Sequence, residues 1–236
     1  MPINFDKLPV GLVNLTKAAA VSLEKNNLTG QRAAVYLVLD RSRSMSRYYR
    51  DGSVQHLAEQ ALGLSANLDD DGIVPTIFFD SDAHPAADIS VDNYQGSIDR
   101  HHKALGRMGS TNYAAAMDEV IDHYLDSDST DPAFVIFQTD GGPDSRRAAE
   151  QTLCKAAKLP MFWQFIGFGP DRFDFLRRLD DLEVPKKRVI DNAGFFPAGD
   201  APKRMSYAEL YDRLMGEFPD WLVAARDAGI VHCPCR

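Results

Sequence analysis

The chain alternates between short runs that are apolar throughout and longer stretches in which apolar residues recur every three or four positions. Residues 33–39 form a continuous apolar run rich in Val, Leu and Tyr, and residues 75–79, 133–139 and 161–167 share that character. Runs of this length without polar alternation fit strands buried on both faces, as in a parallel sheet. Residues 53–67 instead keep a helical period through Val54, Leu57, Ala58, Ala61, Leu62 and Leu64, with Ser53 as the expected N-cap. Residues 113–125 do the same through Ala116, Met117, Val120, Ile121 and Tyr124. Helices are also expected over 145–157, 173–179 and 205–225, the last ended or kinked by Pro219. Weak alternation over 86–91 predicts an edge strand, and 188–191 predicts a fifth strand. Near the start, residues 13–16 and 20–24 alternate and predict two short strands. Buried strands alternating with helices predict a doubly wound α/β fold, a mostly parallel sheet flanked by helices. Ligands of such folds gather at the carboxyl ends of the strands.

Composition narrows the function. At 236 residues and 44% apolar content, the chain can build one large domain, or one with a small appendage, around a sizeable core. Its formal charge of -8 argues against non-specific binding to nucleic acid or to anionic membranes, and suits divalent cations. Cys154, Cys233 and Cys235 are odd in number and two sit at the extreme end, so they do not read as a disulfide framework. The first residues lack a basic region followed by an apolar stretch. No apolar run approaches the roughly 20 residues that cross a bilayer, and a cytoplasmic location is the expectation.

The candidate chemistry lies where the first apolar run ends. Asp40 is followed by Ser42 and Ser44 at alternate positions, which lets both hydroxyls point the same way. Carboxylate and hydroxyl oxygens are hard donors, suited to Mg2+, Mn2+ or Ca2+. Two further loops can meet them. One carries Gly109-Ser110-Thr111, where Gly109 allows a tight turn, and the other carries Thr139-Asp140-Gly141-Gly142. Asp40 and Asp140 each follow a buried strand, which puts both on one rim, and the paired glycines permit positive φ beside Asp140.

Asp40-Arg-Ser-Arg-Ser, Gly109-Ser-Thr and Thr139-Asp-Gly resemble, in order and interval, the metal-ion-dependent adhesion site of von Willebrand factor A-type (VWA) domains, a likeness covering roughly residues 30 to 225. The resemblance implies that Asp40, Ser42, Ser44, Thr111 and Asp140 hold one Mg2+ (alternatively Mn2+ or Ca2+), and that a carboxylate from a protein partner completes the shell. Arg41 and Arg43, between the ligands, are expected to modify partner choice. Residues 12–25 are similar to the tail of a tellurite-resistance (Ter) domain. That likeness implies a bacterial tellurite-resistance or stress-response setting, with residues 1–31 as an N-terminal segment, 32–228 as the VWA domain and 229–236 as a tail.

The implied activity is binding without catalysis, by a module that engages neither nucleic acid nor membrane. A metal-assisted phosphatase or hydrolase using the same strand-end site is the alternative. Against it, no second Asp follows Asp40 two residues on, and no general base has a defined place. His101-His102 reads as a solvated polar stretch. His232, Cys233 and Cys235 read either as one knuckle of a zinc site, which normally needs four ligands, or as a reduced tail. Phe218 and Trp221 are expected to pack in the core.

Overall fold

The computed structural model describes residues 8–69, 71–127, 129–184 and 186–232. Six strands form one sheet: β1 (Ala34–Asp40), β2 (Ile73–Phe79), β3 (Ala87–Ser90), β4 (Ala133–Thr139), β5 (Met161–Phe168) and β6 (Ala193–Gly199). Their order is β3-β2-β1-β4-β5-β6. All neighbours are parallel except the β2–β3 pair at one edge. The fold is thus the doubly wound α/β arrangement expected. The sheet grows outward in both directions from β1 and β4, so the crevice between their carboxyl ends is the topological switch point.

Helices cover both faces because successive strand residues point to opposite sides. On one face Val35, Leu37, Leu39, Phe134 and Ile136 pack with α1 (Val10–Lys25), α3 (Ser53–Leu68), α8 (Tyr207–Leu214) and α9 (Phe218–Asp227). On the other, Tyr36, Val38, Val135 and Phe137 pack with α5 (Tyr113–Asp126), α6 (Arg146–Ala156) and α7 (Asp174–Asp180). Short helices α2 (Ser46–Arg50) and α4 (Ser97–Ala104) sit in the connections. Among the described residues no helix is long and apolar enough to cross a membrane.

Several local expectations are corrected. The two short strands expected within residues 13–24 are one helix, α1. Its buried residues Leu12, Leu15, Thr16, Ala19, Ser22 and Leu23 follow a helical period, while Val10 and Val21 face outward. Helix α1 lies close against α3: a Cβ on Gly63 would sit 2.7 Å from the Leu15 Cβ. Ser53 is not the cap of α3. Gly52 is, and Ser53 opens the helix with its amide and hydroxyl both donating to Asp51 Oδ1. Residues 188–191 are not a strand. Arg188 is buried, donates to the carbonyls of Leu182 and Asp180, and pairs with Asp191 at 2.7 Å. The fifth parallel strand comes later, at β6. The break in the last helical stretch precedes Pro219, which lies in the first turn of α9, where a missing N–H is harmless. Phe218 and Trp221 are buried and stacked with ring centroids 5.6 Å apart, as core residues.

Candidate metal centre

Adjacent strands β1 and β4 end together, with Leu39 in register with Gln138. Asp40 therefore emerges beside Thr139, whose hydroxyl donates to Asp40 Oδ2 at 2.6 Å. The Ser42 amide donates to the other carboxylate oxygen, also at 2.6 Å. From there the donors link outward: Ser42 Oγ lies 3.1 Å from Ser44 Oγ, and Ser44 Oγ donates to Asp140 Oδ1 at 2.8 Å. Asp40, Ser42, Ser44 and Asp140 thus form one continuous set of oxygens.

Thr111 reaches the same rim through its backbone. Ser42 and Gly109 form a parallel bridge, and the Arg43 amide donates to the Gly109 carbonyl at 3.3 Å. On the far side, Asp144 accepts from the Thr111 amide (3.1 Å) and the Ser110 hydroxyl (2.6 Å). Asn112 then caps α5 by accepting from the Ala115 amide. Gly109 is required by close approach: a Cβ there would lie 2.5 Å from Ser81 Oγ and 2.9 Å from Asp80 Oδ1. Gly141 and Gly142, expected to use positive φ, do not, and a Cβ at either would meet open space.

The electrostatics fit a cation. Asp40 is fully buried, and desolvation pushes its pKa up to about 7 despite the hydrogen bonds from Thr139 and Ser42, with the Asp140 charge adding to the rise. Asp140 is raised by burial too, relieved by the Ser44 hydroxyl and by the Arg47 charge. Two carboxylates that resist ionising together, surrounded by hydroxyls, are the donor set a hard divalent ion would neutralise. Among the described residues no three His, Cys, Asp or Glu side chains gather around one point. An ion held here would take its remaining donors from hydroxyls, which suit a hard metal. Burial falls from Asp40 and Ser42 to half-buried Asp140 and exposed Ser44, so the set opens to solvent on the Ser44 side.

Beside the donors lies a polar cluster that sequence reasoning missed. Arg41 has no exposed surface, so it would act on partner choice only through the groups it holds. Its guanidinium pairs with Asp80 at 2.5 Å and donates to the Gly106 carbonyl at 2.8 Å. It thereby ties the end of β2 to the Thr111 loop. Arg43 is exposed. His101 and His102 are half-buried in α4 rather than solvated; His102 stacks on Tyr49 with centroids 4.0 Å apart, and the Tyr49 hydroxyl donates to the Asp40 carbonyl. Thr139, which orients Asp40, was also missed as a site residue. The signal was its place one residue before Asp140, at the end of a buried strand. His232 lies at the edge of the described residues, and Cys233 and Cys235 fall outside them.

The family pattern described as vWA-TerF-like, the vWA found in the TerF C terminus, matches residues 32–231. The chain belongs to this vWA family. The Bacillus subtilis (strain 168) protein YcbR, described as uncharacterized, is 36% identical over 220 residues, spanning 92% of this chain and 88% of YcbR. Among solved structures, manganese-loaded Plasmodium vivax TRAP protein superposes with a TM-score of 0.51 at 20% identity, covering 78% of this chain and 75% of that one. A von Willebrand factor type A protein from Catenulispora acidiphila gives 0.58 at 14% identity, covering 79% and 43%. At these identities the likeness is one of fold. The vWA sheet brings the loops after β1 and β4 to the same rim, and the Ser42–Gly109 bridge joins the loop between α4 and α5 to them.

Proposed function

We propose that this vWA domain is a metal-dependent protein-interaction module. Asp40, Ser42, Ser44, Thr111 and Asp140 would hold one divalent ion, with Mg2+ the first choice and Mn2+ or Ca2+ compatible with the same oxygens. The observation that carries the reading is the linked polar set from buried Asp40, through the Ser42 amide and hydroxyl, to exposed Ser44 and half-buried Asp140. A solved structural neighbour is manganese-loaded, which supports a divalent ion at this kind of fold.

When bound, the ion supplies an electrophilic position that accepts a carboxylate from a partner. The chain's residues do the rest. Thr139 and the Ser42 amide hold Asp40 in one orientation, Asp144 fixes the Thr111 backbone, and the exposed side at Ser44 admits the partner. Ligand exchange there needs no bond to break, so we assign no catalysis. The TerF family description supports a tellurite-resistance setting and the Bacillus relative a bacterial one; within that setting we propose a stress-response role in the cytoplasm.

Affinity capture from the native cytoplasm, with and without EDTA and with Asp40→Ala as control, tests this. A partner retained with Mg2+ and lost in both EDTA and the variant is the expected result. Phosphatase turnover with Mg2+ or Mn2+ that vanishes in Asp40→Ala would overturn it in favour of a hydrolase.

A further inference from the structure

Each of the three donor loops has at least one exposed arginine on it or at its end. Arg43 stands between Ser42 and Ser44, Arg107 shortly precedes Gly109, and Arg146 opens α6 just beyond Asp140. Among the described residues, none of these three side chains makes an ion pair or hydrogen bond. Some neighbouring charges on the rim are engaged: Arg47 pairs with Asp200 at 2.8 Å, Arg172 with Asp174 at 3.5 Å, and Asp144 holds Ser110 and Thr111, while Asp82 and Arg147 are exposed with no side-chain partner among the described residues. Arg146 also lines a recess of about 230 Å³ next to Gly141 and Gly142.

Three unpaired guanidinium groups are carried on or beside the loops of one site in a chain of formal charge -8. An acidic protein would repel an acidic partner at long range. Salt screens charges beyond about 8 Å at physiological ionic strength, so groups at the contact outweigh the distant acids. Guanidinium groups present planar donor forks matched to carboxylates. Resting on the metal-site reading, we infer that the partner is an acidic segment rather than a lone acidic side chain. One carboxylate takes the position at the ion, and flanking carboxylates pair with Arg43, Arg107 and Arg146. The arginines select and orient the segment, while the ion anchors it. Charges at a contact rim act chiefly on association rate and specificity.

Two labelled Gly/Ser peptides test this against the full chain, by anisotropy and stopped flow in Mg2+ and in EDTA. One carries a single central Glu, and the other flanks that Glu with acidic residues on both sides. The flanked peptide is expected to bind about tenfold more tightly, the combined effect of three exposed charge pairs. Its association rate should fall with added salt. Combining Arg43→Gln, Arg107→Gln and Arg146→Gln should erase that preference while single-Glu binding persists. Equal binding of both peptides, or a preference that survives the triple variant, would overturn this inference alone. So would tighter binding of single-stranded RNA. Flanked-peptide binding undiminished by EDTA would overturn the metal anchor beneath the inference as well. Failure of both peptides to bind the Mg2+-loaded chain would overturn the carboxylate reading beneath it as well.

Discussion

Thr139 and Arg41 show how much of the site is built by residues that would never touch the ion. Thr139 donates to Asp40 and lies within hydrogen-bond reach of the Tyr113 hydroxyl, fixing a buried carboxylate from behind. Loss of such an outer partner typically weakens metal affinity about 10–100-fold. Thr139→Val, which keeps the shape, is expected to weaken Mg2+ binding by that factor in calorimetric titration with little change in far-ultraviolet dichroism. Arg41 is a buried ion-pair partner of Asp80. Arg41→Met leaves that carboxylate with only the Ser81 amide and His84 beside it, and breaking a buried pair in this way costs about 3–5 kcal/mol. Urea unfolding should show that loss, and adding Asp80→Leu should recover part of it. The proposed donors Asp40, Ser42, Ser44, Thr111 and Asp140 are legible in the sequence through their resemblance to the adhesion-site motif, and Asp40 and Asp140 also because each ends an apolar run. Arg41 is not. Sequence marks an arginine between two ligands, but its burial depends on Asp80 and Gly106, which only the β1–β2 pairing brings near.

At the scale of elements, the strands most legible in the sequence are those buried on both faces. Their unbroken apolar runs are too short for a buried helix, which leaves a central strand. β6 escapes such a reading because its sequence, Ala193-Gly-Phe-Phe-Pro-Ala-Gly199, carries the glycines and proline of a turn. An edge strand tolerates them because one side of its ladder is unpaired. The correction at α1 is one of period: alternation over a few residues masks a helical stripe spanning the whole segment. That stripe is core, so Leu15→Ala is expected to destabilise the chain by about 2–5 kcal/mol in urea unfolding. A change near zero would mean that α1 is a detachable appendage.

The acidic recess lined by Asp180, Asp191 and Glu217 carries a pH dependence. Asp180, at the end of α7, is pushed up to about 7 by burial and by the charges of Glu217, Asp191 and Asp181, with Arg188 opposing. Its folded pKa lies above its unfolded value, so the folded chain holds a proton that the unfolded chain releases. The corresponding stability is present in acid and is lost as pH rises from about 4 through about 7. Asp180→Asn should flatten the fall of melting temperature over that window, leaving the variant relatively more stable at pH 8.

For the whole molecule, ion binding and folding are linked, because the donors come from loops after β1 and β4 and before α5, far apart in sequence. Only the folded sheet assembles them. A ligand that binds the folded form alone stabilises it by about 2.7 kcal/mol at one hundred times its Kd. For a chain of this size that is roughly 5–10 °C in melting temperature. Mg2+ should produce this shift, EDTA should reverse it, and Ser42→Ala should abolish it. The acidic surface and the arginine-bearing rim then divide the work between solubility and recognition.

Anomalous diffraction from crystals of the full chain soaked in Mn2+ tests the site most directly. A single strong peak bounded by Asp40, Ser42, Ser44, Thr111 and Asp140, and absent from Ser42→Ala crystals, is the predicted result. A map with no peak there, or with the ion held elsewhere on the chain, would contradict it.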